Sequence, residues 1–227
     1  MLRLISSIPI VFFFVFAGTH AATAEPGLSN QQIVTGLKDA LSIGTNIATG
    51  SASKPDGYNK NPLIHIPFPK EAEDVKKALI NIGMKKQVKE FETQLNRAAE
   101  DAAKKATPIF INAITKMTIT DGLTILKGRQ DEATQFLKKN TQTQLTAEFR
   151  PVIKASLEKV QITRYWKPLI TKYNKLKLGK KQNPNLDAYV TEKAIDGLFK
   201  LIAQEEQKIR KDPVARVTDI LKLVFGN

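Results

Sequence analysis

Between residues 85 and 106 the apolar side chains recur as Val88, Phe91, Leu95, Ala98, Ala99, Ala102 and Ala106, at steps of three and four. That spacing makes one stripe on a 3.6-residue helix and fits no strand, where faces alternate at every residue. The alanines add a second constraint: so thin a stripe lets neighbouring backbones come close, and other helices must cover it. The rest of the chain keeps the same period. Ser29 with Gln32 three positions on is a capping box ahead of Ile33, Leu37, Leu41 and Ala48, so a first helix runs to about Gly50. Pro69 in a first turn, Glu71, Glu73 and Asp74 at the positive end, and Gly83 as C-terminal cap frame a second. Pro108 kinks or restarts the long helix before residues 109–117. Helices are expected over residues 120–127, 131–140, 143–159 and 163–177, separated by Gly128, the polar stretch 141–143 and Gln161. After a loop at 178–185 come residues 186–211 and a last helix to Phe225, capped by Asp212 with Pro213 in its first turn.

Two stretches break the period. Lys54-Pro55-Asp56-Gly57, inside polar residues 51–61, has the proline and glycine of a tight turn. Pro62, Pro67 and Pro69 each push the preceding residue out of the helical region, so residues 63–68 read as extended chain, the one strand-like segment and an isolated clamp. With no repeat and no composition break, the expected fold is an all-α, single-domain multi-helix bundle with that short extended segment, spanning residues 25–227.

Residues 1–24 read differently. Arg3, an apolar run over 8–17 with Phe12, Phe13, Phe14 and Phe16, and then Ala22-Thr23-Ala24 follow the order of a secretory signal peptide. The run is shorter than the roughly 20 apolar residues of a membrane span. Cleavage is expected after Ala24, leaving an exported, periplasmic or secreted protein with no transmembrane segment in the mature form. The chain has no cysteine. A chain of this size buries roughly 70% of its unfolded surface, enough for a core that needs no disulfide.

Several short tracts occur in a fixed order: Lys54-Pro55-Asp56-Gly57-Tyr58, Asn61-Pro62, Ile66-Pro67, Asn96-Arg97-Ala98-Ala99-Glu100-Asp101, Pro108-Ile109-Phe110 and Ile125-Leu126-Lys127-Gly128. Ala133-Thr134, Phe149-Arg150-Pro151, Tyr189-Val190-Thr191-Glu192-Lys193-Ala194, Gly197-Leu198-Phe199, Ile202-Ala203-Gln204-Glu205-Glu206 and Ile209-Arg210 follow. Together they resemble a bacterial family of exported helical proteins known only as a domain of unknown function. The resemblance covers nearly all of residues 25–227 and implies a bacterial, periplasmic protein. It brings no activity, ligand or catalytic residue. Family members often have Ala-Glu-Glu-Glu where this chain has Ala203-Gln204-Glu205-Glu206, a small departure that keeps both final glutamates.

The residue inventory excludes several chemistries. His20 precedes the cleavage site, so His65 is the one mature histidine, and its neighbours Ile64 and Ile66 place it on a wet face by alternation. Histidine-based triads can use no other residue, and a di-iron bundle lacks its two Glu-x-x-His units. A histidine-rich zinc site fails on the same count. We expect no cofactor, no metal site and no assigned catalytic residue. Carboxylates remain, since paired acids hydrolyse glycosides without histidine. Asp131 and Asp212 read as helix caps, and Glu192 and Asp196 as solvated. Glu205 falls between Leu198, Leu201, Ile202 and Ile209, inside an apolar stripe. A carboxylate entering a core needs a partner, such as Arg97, Arg210 or Arg216, and the ordinary reading is a structural ion pair. A second polar group, Asn96, Arg97 and Glu100, lies on a row with Glu92 and Lys104 beside the alanine face. Asn96 in mid-helix there needs an internal partner.

Charge is the last signal. The chain carries a formal net charge of +13, which removal of Arg3 lowers by one. Eight cations, Lys159, Arg164, Lys167, Lys172, Lys175, Lys177, Lys180 and Lys181, crowd a stretch with no acid, interleaved with Tyr165, Trp166, Leu169, Tyr173 and Leu176. The plain reading is an amphipathic helix with a solvated lysine face. The sharper one is a surface for anions with Trp166 as an anchor at its rim. The expected function is therefore a non-enzymatic periplasmic binding module engaging an anionic lipid, lipopolysaccharide or acidic cell-wall polymer, with no nucleic-acid partner. The alternatives are a carrier of a lipid-like ligand between helices and, behind it, a carboxylate-dependent cell-wall hydrolase built on Glu205.

Overall fold

The computed structural model describes residues 29–81, 83–159, 166, 171, 175 and 185–211. Seven α-helices lie among them: α1 (Asn30–Ala52), α2 (Glu73–Asn81), α3 (Lys85–Ala103), α4 (Ala106–Thr115), α5 (Ile119–Lys127), α6 (Glu132–Glu158) and α7 (Leu186–Lys211); Trp166, Thr171 and Lys175 are helical as well. The described residues contain no strand, so the all-α architecture expected from the period is what forms.

Local chemistry sets most boundaries. The N–H of Gln32 donates to Ser29 Oγ and the N–H of Ser29 to Gln32 Oε1, closing the capping box that opens α1. Thr118 and Asp121 build a second box at the start of α5, which extends that helix one residue beyond the expected 120–127. Gly83, at φ 88°, ends α2. Pro108 is the third residue of α4, where a backbone N–H has no intrahelical partner, so it restarts the helix and does not kink it.

At α6 the structure departs from the sequence reading. Residues 131–140 and 143–159 belong to one helix, not two. Leu137, Thr141, Leu145, Phe149, Ile153 and Leu157 recur at steps of four and are all buried, and the Thr141 hydroxyl donates back to the Leu137 carbonyl at 2.7 Å. With its hydroxyl so satisfied, Thr141 continues the buried ridge, while the polar residues 142–144 face outward. Pro151 lies inside the helix, where it removes the N–H that would bond the Ala147 carbonyl.

This ridge lets α6 pack across α3, α4 and α7, while α1 packs on α4, α5 and α7. The α3 alanines Ala98, Ala99, Ala102 and Ala103 are fully buried, as the thin stripe required. Phe110 meets Phe199 edge-on at 5.8 Å between α4 and α7. Trp166 stacks on Phe91 at 5.6 Å and meets Phe68 edge-on at 5.5 Å, so it belongs to the core and is not the rim anchor read from sequence. Among the described residues no single helix is long and apolar enough to cross a membrane; α4 and α5 together reach that length only across a 104° bend.

Candidate functional site

The extended segment expected at 63–68 is shorter than that: residues 62–64 turn, with the N–H groups of Ile64 and His65 both donating to the Asn61 carbonyl. The stretch from His65 onward has no strand partner, because side chains of α3 replace one. Glu92, Asn96 and Glu100 stand four residues apart along the helix. Asn96 Oδ1 accepts the Ile66 N–H at 2.8 Å while its Nδ2 donates to the Ile66 carbonyl at 2.9 Å, the pairing an adjacent strand would offer. Glu100 Oε1 accepts the N–H groups of Tyr58 and Asn59, both at 3.1 Å, and Glu92 Oε1 accepts that of Phe68 at 3.2 Å. Arg97 ties the row to the turn, bonding Glu100 at 2.7 Å and Asp56 at 2.6 Å.

The turn itself depends on Asp56 and Gly57. Asp56 carries the left-handed backbone, at φ 68°. Gly57 is needed for closeness, since a Cβ there would lie 2.3 Å from the Ser51 carbonyl oxygen. Hydrogen bonds from Lys60 and Asn59, with the Arg97 charge behind them, hold the Asp56 carboxyl down at about 2. The Tyr58 hydroxyl donates to the Ala194 carbonyl at 2.6 Å, and burial pushes its pKa far above the usual phenol range, so it serves as a neutral donor. His65 is half-buried, and its Nδ1 lies 3.0 Å from the Asn59 carbonyl, which requires the proton on that nitrogen. Ile64 and Ile66 on either side are buried, so the alternation read from sequence holds, with His65 on the more open side but half-covered. Asn96, Arg97 and Glu100 do form one polar group: Asn96 and Glu100 hold the backbone of residues 58, 59 and 66, while Arg97 joins the Glu100 and Asp56 carboxylates. This group is a tether.

The acidic pair on α7 reverses the expected order. Glu205 is the less buried, with its side chain 15% exposed and its carboxylate paired to Lys208 at 2.6 Å. Glu206 is the buried one, at 4%, and it bonds Arg210 at 2.9 Å. Its oxygens also accept the Ala133 N–H, the Thr134 N–H and the Thr134 hydroxyl, capping α6 from a distant helix. Asp131, which sequence nominates as that cap, makes no side-chain cap bond. Arg210 adds a bond to the Ile125 carbonyl at 2.8 Å and so joins α5, α6 and α7. Arg210 therefore partners Glu206, not Glu205. Breaking a buried pair of this kind costs about 3–5 kcal/mol.

A groove of about 860 Å³ is lined by Lys138, Lys139, Gln142, Thr143, Thr146, Ala147, Arg150, Pro151, Lys154 and Asp187. Arg150 Nε bonds Asp187 at 2.8 Å, which anchors the guanidinium and leaves its Nη groups to other acceptors. Lys139 and Lys154 are exposed. A side pocket of about 140 Å³ shares Gln142, Thr146 and Arg150 with the groove and is closed by Thr191, Glu192, Ile195 and Asp196 of α7. Sequence reasoning missed this face because its cations, Lys138, Lys139, Arg150 and Lys154, are spread over seventeen residues that are mostly neutral and hold Glu148, and they converge only on the helix surface.

Of the basic stretch singled out earlier, Lys175 is helical and exposed. Arg164, Lys167, Lys172, Lys177, Lys180 and Lys181 lie outside the described residues, as do Arg216 and Asp212. Among the described residues no group of three or more His, Asp or Glu could hold a metal ion.

Fold and site together define an all-α bundle with a tethered loop and a cation-lined surface groove. The chain belongs to the family described as protein of unknown function (DUF4197), whose model matches residues 27–226. No curated protein matches the chain. No solved structure matches it either.

Proposed function

We propose that this protein is a non-catalytic binding module of the cell envelope that holds an anionic component along the outer groove of α6. The observation that carries the reading is the groove's lining, Lys138, Lys139, Arg150 and Lys154 with Asp187 as its one acid, although Lys138 and Lys154 also reach Asp196 and Glu158 just outside it at 3.9 and 4.0 Å. Such a cleft concentrates anions. The secretory order of residues 1–24 supports an envelope location, and the acid-free cations from Lys159 to Lys181 add to the attraction. The carrier reading would need open space between helices where Leu95, Phe110, Leu145 and Phe149 pack fully buried. The hydrolase reading would need a free Glu205, which is engaged by Lys208.

Co-sedimentation with phosphatidylglycerol vesicles, lipopolysaccharide and acidic polysaccharide, at low and physiological salt, tests the proposal. The parent should bind at least one of them and release it as salt rises, because exposed charges are screened beyond about 8–10 Å. Lys139→Glu with Lys154→Glu should weaken that binding at least tenfold. Replacing Lys172, Lys175, Lys180 and Lys181 by Glu measures the share of the basic stretch. A parent that binds none of these anions, or a double variant that binds as well as the parent, overturns the reading.

A further inference from the structure

We infer that the anion held in this groove is an acidic oligosaccharide, and that the side pocket beside it receives one of the sugar's neutral hydroxyls. The inference rests on the groove being the binding site and names its ligand class from three features of the lining.

The first is the spacing of charge. The cations stand in two groups, Lys138 with Lys139 and Arg150 with Lys154. From Lys139 to Arg150 the helix rises about 16 Å at 1.5 Å per residue. Between them stand Gln142, Thr143, Thr146 and the Ala147 carbonyl that Pro151 deprives of its helical partner. No described residue bonds the Gln142 amide or the Thr143 hydroxyl. A polymer charged at every unit, such as polyphosphate or a nucleic acid, would lay anions over these neutral groups. A glycan whose acids are separated by hydroxyl-bearing sugars puts charge on the cations and hydroxyls on the amide and hydroxyl groups between.

The second feature is the side pocket, which adds two acids to the Arg150 that it shares with the groove. Glu192 and Asp196 stand at its α7 wall and would repel an anion. Thr191, only 3% exposed, also lines it, and its hydroxyl oxygen has no hydrogen-bond partner. A buried polar atom left unpaired is costly and marks a place for a ligand group. A hydroxyl is donor and acceptor at once, so it can donate to a carboxylate here and bond Thr191 as well.

The third feature argues against a bilayer as the occupant. The large exposed apolar residues among those described are Ile47, Leu63, Ile80 and Ile119, none of them on α6. Binding in a membrane interface needs apolar side chains on the docking face.

Titration calorimetry on the full chain separates these possibilities, using a hyaluronan octasaccharide, whose carboxylates alternate with neutral sugars, polyphosphate of equal charge, and phosphatidylglycerol vesicles. Hyaluronan should bind at least tenfold tighter than polyphosphate. Thr191→Val should lower hyaluronan affinity about tenfold, one hydrogen bond's worth in a desolvated site, and leave polyphosphate binding unchanged. Its melting temperature should not fall, because the change removes an unpartnered hydroxyl. Lys139→Glu with Lys154→Glu should weaken both ligands. Binding of polyphosphate or vesicles with hyaluronan equal or weaker overturns the glycan assignment and leaves the anion-binding proposal standing. Thr191→Val without effect on hyaluronan, or with equal effect on both ligands, also overturns it. Absence of binding to all three probes overturns both readings.

Discussion

On α3, Glu92, Asn96 and Glu100 each accept a backbone N–H from residues 58–68, whereas on α6 no described residue bonds the side chains of Gln142 and Thr143, which open on a groove. The two groups look alike in sequence, polar residues of a helix beside an apolar stripe. They differ in what the chain lays over them. Residues 58–68 have few ladder bonds of their own, so their buried N–H groups need acceptors, and α3 supplies them. Where no such segment arrives, the same residue types stay available to something else. A polar row on a helix therefore becomes a functional candidate only after the tertiary fold has shown that nothing internal uses it.

The most severe test of this contrast is Asn96→Ala. It strands the N–H and carbonyl of Ile66 in a buried setting and should cost about 2–4 kcal/mol of stability by urea unfolding. A loss below about 1 kcal/mol, within the surface range, would erase the distinction between the groups.

A milder test acts through pH on the same tether. The Asp56 carboxyl is held at about 2 against 3.8 for the free group. Its pKa is depressed on folding, so its stabilisation is complete above the unfolded value and is lost as pH falls through about 2. The melting-temperature gap between the parent and Asp56→Asn should hold steady above about pH 5 and close as the pH approaches 2. A gap that is the same at both ends would mean that the charge of Asp56 does not stabilise the turn.

The smallest effect is expected on α6. Gln142→Ala with Thr143→Ala should leave stability within about 0.5 kcal/mol of the parent or raise it slightly, since alanine is the better helix former. Thermal melts that show a loss as large as that of Asn96→Ala would mean that the α6 group is tied down as well.

How far the site could be read from sequence varied with the range of each interaction. Asn96 was legible as an anomaly, because an amide in mid-helix beside an alanine face needs a partner. That the partner is Ile66, thirty residues earlier, was not legible. The acidic pair on α7 shows the limit of angular reasoning. Counting 100° per residue placed Glu205 inward, yet the N-terminus of α6, with its unpaired N–H groups, draws the neighbouring Glu206 into the core instead. Residues 141–143 read as a break because threonine and glutamine are polar, and the back-bond from Thr141 to the Leu137 carbonyl removed the reason for one.

The sequence by itself determined the helical period, the capping box at Ser29, the tight turn at residues 54–57, the stop at Gly83 and an interruption near Pro108. Each of these is a contest among groups within a few residues of one another, and local sterics and hydrogen bonding settle it. Only the tertiary structure decided that Asn96 would act as a strand, that Glu206 and not Glu205 would cap a distant helix, and that four scattered cations would line one groove. These outcomes depend on which surfaces meet when the apolar stripes are buried together, and a side chain's partner is then whatever the packing of the whole core brings within bonding distance.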